Sequence, residues 1–245
     1  MTDHKLSVHV TTQSNLFIGG SPTTFEIGGV DQFTVTDAEG MPYIPASSFK
    51  GTLRHIVREM LASYEFSRMI AQAYQQYLER LRDINSLECK KYDIEQERIE
   101  RMQKRYEKVI QQASAEYLFG IEGFNDTPKL LFNDLLLVDK SVDPAGLFSI
   151  DSKNSIETTT EKDVHIVAAN PRTYRTVRPG VRFQGEVLFY DFATLGDSSI
   201  ESCIQRLIKD AMEKFNSGMY RLGNSGSRGY GRVKVQCIEE DSVNG

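Results

Sequence analysis

Residues 223–238, GNSGSRGYGRVKVQCI, set four glycines and two serines just ahead of an alternating, Val-rich run. Before them, residues 198–216 carry Ile200, Ile204, Leu207, Ile208, Met212 and Phe215 at helical spacing, and RVKVQCI reads as a strand. A glycine loop leading from a helix into a strand is not a dinucleotide fingerprint, which opens a helix, and the GxxxxGK[ST] order of a P-loop is absent. The glycines allow positive φ and close backbone approach. Their amides, with Arg228 and Arg232, suit anionic oxygens, although a tight connector would use the same residues.

Working outward, KLSVHVTT (5–12) alternates Leu6, Val8 and Val10 with polar neighbours, the period of a half-buried strand. IPASSFKGTLRHIVREML (44–61) predicts a helix with Ser47 or Ser48 as its N-cap and Phe49, Leu53, Ile56, Val57, Met60 and Leu61 on one face. Residues 64–118 contain no Gly or Pro. One apolar stripe there runs through Phe66, Ile70, Tyr74, Tyr77, Leu81 and Ile84, and a second through Ile99, Met102, Tyr106, Val109, Ala113 and Tyr117. Two helices joined near 85–93 are expected, either a solvated hairpin packed on itself or a surface for a neighbouring subunit. Strand signals return at 130–138, 164–168 and 181–190, with a polar excursion through 139–163. The order strand, helix, strands, helix, strand predicts an α+β fold, a ferredoxin-like or RNA-recognition-type sheet with helices on one face. A chain of 245 residues is expected to form one elaborated domain.

The net charge of -5 argues against a phosphate-binding protein only until its distribution is read. Windows 41–58, 164–185 and 214–238 hold 12 of the 29 basic residues and none of the 34 acids. Such segregation is the footprint of a basic groove on an acidic body. The helix start at Ser47, Ser48 and Lys50 offers first-turn amides to an anion or simply a cap. Arg172, Arg175, Arg178 and Arg182, interleaved with Tyr174 and bracketed by Pro171 and Pro179, suit gripping phosphates and stacking a base, or a solvated edge strand. In FEIGGVDQFTVTD (25–37), Asp31 follows a glycine pair as a turn carboxylate or as one placed to act on a ligand.

No apolar run approaches the roughly 20 residues of a membrane span, and MTDHKLSVHV lacks a signal-peptide core, so a cytoplasmic protein without a membrane partner is expected. Cys89, Cys203 and Cys237 fit neither a disulfide framework nor a zinc motif. His4, His9, His55 and His165 are scattered, and HExxH and GxSxG are absent, so no self-contained hydrolase site is visible.

Taken in order, LFIGGSPTTFEIGGVD, MPYIPASSFKGTLR, YLFG (117–120), SKNSI (152–156), AANPRTYRTVRPG (168–180) and LGNSGSRGYGRVKV (222–235) resemble the RAMP superfamily. More narrowly, they resemble the repeated backbone subunit of type III CRISPR effector complexes, the Csm-type third subunit. The resemblance covers nearly the whole chain outside 64–112, where family connections are shorter. It implies a modified RNA-recognition fold, 1–245, with a helical-hairpin insertion at 64–112 and a thumb-like β-hairpin excursion at 139–180. Copies would stack along a guide CRISPR RNA beside other effector subunits, and the thumb would fold over guide and target RNA.

The family's IGG-hydrophobic-Asp motif falls on Asp31, which the resemblance makes the catalytic residue and a ligand of Mg²⁺ or another divalent metal in target-RNA cleavage. A free Asp with a pKa of about 3.9 is a poor base at neutral pH, which favours metal positioning. By the same resemblance Ser47, Ser48, Lys50, Arg54, Gly223, Ser225, Gly226, Arg228 and Gly229 would contact guide backbone. Lys153, Asn154, Ile156, Arg172 and Arg175 would belong to the thumb. The family pattern has His where this chain has Phe17, so a slow or non-cleaving subunit is the alternative.

Overall fold

The computed structural model describes residues 5–20, 30–92, 94–161, 164–196 and 198–239, with side chains left undescribed over 153–171. The elements in order are β1 (Lys5–Thr12), β2 (Gln32–Phe33), α1 (Ala46–Met60), α2 (Ser67–Lys91), α3 (Gln96–Gln111), β3 (Lys129–Phe132), β4 (Leu136–Leu137), α4 (Pro144–Leu147), β5 (Phe148–Glu161), β6 (Val164–Val177), β7 (Arg182–Tyr190), α5 (Ser198–Glu213) and β8 (Val233–Glu239).

One sheet has the order β3-β7-β1-β8, with β4 also paired to β7. Along the chain, β1, α1, β3, β7, α5 and β8 therefore trace the βαββαβ path of a ferredoxin-like fold, and the α+β class expected from the element order is what forms. β1 and β8 run antiparallel from Leu6↔Glu239 to Thr12↔Val233, which turns Val8, Val10, Val233 and Val235 inward to full burial. A second sheet, β2-β6-β5, is built on a hairpin whose arms pair from Phe148↔Val177 to Glu161↔Val164.

The chain divides into two compact units, Met1–Lys5 with Leu53–Leu131 and Val187–Ala211, and Leu6–Thr52 with Phe132–Glu186 and Met212–Gly245. In the first, α2 buries Ile70, Ala73, Tyr74 and Leu78, and α3 buries Ile99, Tyr106 and Ile110. The Tyr74 hydroxyl donates to the Pro128 carbonyl at 2.8 Å, and its ring meets Tyr117 edge-on at 5.7 Å. Asn85 donates to the Tyr106 hydroxyl at 2.6 Å. The predicted stripe through Ile84 stops short of it, because Ile84 and Leu87 lie exposed near the end of α2.

In the second unit, the Phe49 and Phe215 rings stack at 5.5 Å with 7° between their planes. Two sequence expectations change here, the strand at 130–138 and the cap of α1. The strand expected at 130–138 is broken into β3 and β4, because Asn133 turns its amide to the Glu186 carbonyl and Leu135 bridges to Ile44. The polar excursion at 139–163, which has no strand periodicity of its own, contains β5, one arm of the hairpin expected within 139–180. α1 starts at Ala46, so Ser47 and Ser48 lie inside its first turn and are not the N-cap. The orphan amide of Ala46 is met instead by the Asp134 carboxylate at 2.7 Å, a cap delivered from 88 residues away.

Candidate nucleic-acid interface and its carboxylate

β2 runs parallel to β6 with Gln32↔Tyr174 and Phe33↔Arg175, so Asp31 arrives opposite Thr173. The Thr173 amide donates to Asp31 Oδ2 at 2.6 Å, and the Thr173 hydroxyl donates to the same oxygen at 3.0 Å. That hydroxyl also accepts the Asp31 amide at 3.1 Å. The amide bond of Thr173, then its hydroxyl bond, holds the Asp31 carboxyl below its ordinary value, and the neighbouring Arg172 guanidinium adds to this. An exposed, ionised carboxylate results, unsuited to taking a proton near neutrality.

The segment after Asp31 is fixed from two sides. Thr34 donates its amide to the Arg175 carbonyl at 3.0 Å, Val35 donates to the Ile18 carbonyl at 2.8 Å, and Gly20 donates to the Phe33 carbonyl at 3.0 Å. The buried Thr34 hydroxyl accepts the Ile18 amide at 3.2 Å. The family-motif residues 21–29 that precede Val30 lie outside the described residues.

Phe17, Tyr174 and Tyr230 form one buried cluster, with the Phe17 and Tyr174 rings edge-on at 5.2 Å. Position 17 therefore contributes packing, and its side chain is not presented to solvent. The Tyr230 hydroxyl donates to the Asp151 carboxylate on β5, and burial followed by that carboxylate pushes the phenol up.

The glycine loop is tied into the same cluster. Gly223 takes a φ of +77° directly against the Phe17 carbonyl, and Asn224 donates its amide to that carbonyl at 2.7 Å. Arg228 donates its amide to Ser225 at 2.9 Å, Gly229 to Gly226 at 3.0 Å, and Gly231 to Asn15 at 2.8 Å. Much of the loop's donor capacity is thus spent on its own chain, which is what a tight connector requires; Ser225, at φ +60°, turns the chain into a short 3-10 turn, Gly226–Arg228.

The structure thereby brings Asp31, Arg172 and the loop 223–229 to β6 and the aromatic cluster, while alternation along β6 sends Arg175 to the opposite face. Arg172 is exposed, and the Arg175 guanidinium lies 3.9 Å from the Phe148 ring centroid, a stacked geometry. Of the arginine series, Arg172 and Arg175 lie on β6, which β5 and β2 flank, so the edge-strand alternative fails for them, while Arg178 lies past the end of β6 and Arg182 opens β7. Lys153, Asn154 and Ile156 sit on the β5 arm opposite Arg172, Pro171 and Ala169, and their side chains lie outside the described residues.

The remaining positions are elsewhere. Ser48 and Phe49 donate their amides to the Pro45 carbonyl, the Ser48 carbonyl accepts from Thr52, and Lys50 approaches the Phe132 ring at 6.0 Å. With Asp134 already at the first amide, the start of α1 carries an anion of its own. Arg54 is in the other unit, paired with Glu116 at 3.2 Å. Arg58 makes two bonds to the same carboxylate, at 2.8 and 2.9 Å, which first among its causes keeps Glu116 below its usual value. Thr173, Tyr230, Asp151, Asp134 and Glu116 were not singled out from sequence. Each acts through a partner 58 to 142 residues away, a signal that no local pattern carries.

The sequence model of the RAMP superfamily matches residues 9–234. The chain belongs to the RAMP superfamily. This RAMP protein is 22% identical over 242 residues to the CRISPR system Cms endoribonuclease Csm3 of Streptococcus thermophilus, an alignment spanning 98% of this chain and 90% of that one. Its fold is similar to that of a chain in the cryo-EM structure of the Type III-B Cmr-beta bound to cognate target RNA, with a TM-score of 0.53 and 19% identity. That match takes in 97% of this RAMP chain, which spans 61% of the other chain's length. Among the described residues no helix is long and apolar enough to cross a membrane, and no group of three or more His, Cys, Asp or Glu gathers as a metal cluster.

Proposed function

We propose that this RAMP protein is a guide-RNA-binding backbone subunit of a type III CRISPR effector complex, assembled with further copies of itself and other subunits, and that it cleaves complementary target RNA at Asp31. The observation that carries the reading is an exposed, ionised carboxylate fixed against β6 in a chain similar over nearly its whole length to a CRISPR endoribonuclease. Basic residues segregated from acids, with Arg172 close enough to Asp31 to help hold its carboxyl down, support a phosphate-binding role for the surface around Asp31.

RNA supplies its own nucleophile. The 2′-oxygen forms a bond to phosphorus, the 5′-oxygen bond breaks, and the leaving oxygen gains a proton while the 2′-hydroxyl loses one. The protein's task is to hold those atoms in line and to balance charge on the phosphate. Arg172, beside Asp31, is suited to the charge, and Asp31 to orientation rather than proton abstraction. Asp31 Oδ2 takes both Thr173 donors, and among the described residues Oδ1 takes no hydrogen bond. That donor set fits a hard cation which takes its other ligands from phosphate and water, as Mg²⁺ does. Such an ion, when bound, supplies Lewis-acid stabilisation of the phosphoryl oxygens.

A second reading, a subunit that holds guide and target without cutting, draws on Phe17, buried where the family pattern has His. The test is cleavage of a labelled, guide-complementary RNA by the assembled complex with Mg²⁺, and again in chelator, for wild type and Asp31→Ala at matched RNA binding. Loss of cuts on substitution, with binding intact, is expected. Equal cutting by both removes Asp31 from the chemistry, and cutting in chelator removes the metal. No cutting by either favours the scaffold.

A further inference from the structure

We infer that Thr173 is the positioning residue for the Asp31 carboxylate, so that the β5–β6 hairpin sets the geometry of the cleavage site. This rests on the reading of Asp31 above. The hydroxyl of Thr173 serves residue 31 twice, accepting its amide at 3.1 Å and donating to Oδ2 at 3.0 Å, while the Thr173 amide donates to that oxygen at 2.6 Å. An exposed aspartate is otherwise free to exchange among staggered χ1 wells. Two donors on one oxygen select one arrangement and direct the other oxygen outward.

The clamp is continuous with the hairpin. Thr173 pairs with Ser152 on β5, its neighbour Tyr174 pairs with Asp151, and Asp151 is held by Tyr230 of the glycine loop. Phe17 packs edge-on against Tyr174 in the same cluster as Tyr230. A shift of the base of the hairpin therefore moves the acceptor and both donors that fix Asp31. A displacement of about 1 Å at a reacting group costs up to roughly 100-fold in rate, so the clamp has a kinetic signature.

The experiment uses Thr173→Val, which keeps shape and backbone but loses the hydroxyl, and Thr173→Ser, which restores it. Each is made in the full chain and in the assembled complex, alone and with Asp31→Ala. At saturating target RNA, Thr173→Val is expected to cut about 10-fold more slowly with RNA affinity unchanged, and Thr173→Ser to return within about threefold of wild type. In the Asp31→Ala background, Thr173→Val is expected to add nothing. Amide exchange in the peptide holding residue 31 gives a readout apart from activity, faster in the Val variant and restored in the Ser variant.

Wild-type cutting by Thr173→Val, with Asp31→Ala inactive, overturns the inference. So does a loss that serine fails to rescue or that tracks weaker RNA binding. If wild type itself does not cut, the proposed cleavage and the positioning role fall together, and amide exchange then shows whether the clamp stands as a purely structural contact.

Discussion

Gly223 is the position where the fold and the candidate interface make competing demands, and Gly223→Ala separates them. Its φ is +77°, and an added Cβ would lie 2.3 Å from the Phe17 carbonyl oxygen and 2.9 Å from Ile18 Cγ1. The left-handed conformation costs an alanine about 1–2 kcal/mol. Moving the Phe17 carbonyl away also weakens its 2.7 Å bond from Asn224, worth about 1 kcal/mol, and overpacking adds about 1–3 kcal/mol. The expected loss is about 4 kcal/mol, or roughly 10 °C in Tm for a chain of this size. Gly229→Ala is the control, because φ is +91° there but no atom lies within 4 Å of the new Cβ. It is expected to cost about 1 kcal/mol, from conformation alone. Urea unfolding followed by far-ultraviolet circular dichroism, with m-values compared, measures both. Equal losses at the two positions would refute the packing argument, and a Gly223→Ala chain of full stability that has lost RNA binding would make this glycine an RNA contact instead.

Three further outcomes follow from the same geometry. Phe17→His places an imidazole in the buried cluster with Tyr174 and Tyr230, and is expected to lower stability by about 1–3 kcal/mol without raising RNA cleavage, so a gain in cleavage rate counts against the packing role. Asp134→Ala removes the acceptor for the first amide of α1 and is expected to cost about 1 kcal/mol in urea unfolding, while Asp134→Asn retains most of it. Because Asp31 titrates below its ordinary value when folded, its ionised form stabilises the fold at pH values above the unfolded pKa of about 3.9, and that contribution is lost as pH falls through the lower folded value. The stability difference between wild type and Asp31→Asn should therefore be constant above about pH 5 and shrink in acid; a difference that grows in acid contradicts the assigned contacts.

The α+β order, the two helices of residues 67–111, the final strand and the resemblance to RAMP motifs were legible in the sequence, because apolar periodicity and glycine placement are local properties. β5 was legible only through the family resemblance, which implied a hairpin within 139–180; its own polar periodicity carried no strand signal, because it pairs with β6 by backbone and its strand state depends on that partner. The cap of α1 went to Asp134 rather than Ser47 or Ser48 because the chain folds a remote carboxylate onto Ala46. Asp31 could be singled out from its motif, but whether its carboxylate is held, and by what, was decided by the β2–β6 register that brings Thr173 to it. Residue types, and the segments that alternate or turn, follow from local chain chemistry. Tertiary structure alone decided which donors meet which acceptors, because hydrogen bonds across 88 or 142 residues are fixed by strand pairing and packing, and no local preference encodes them.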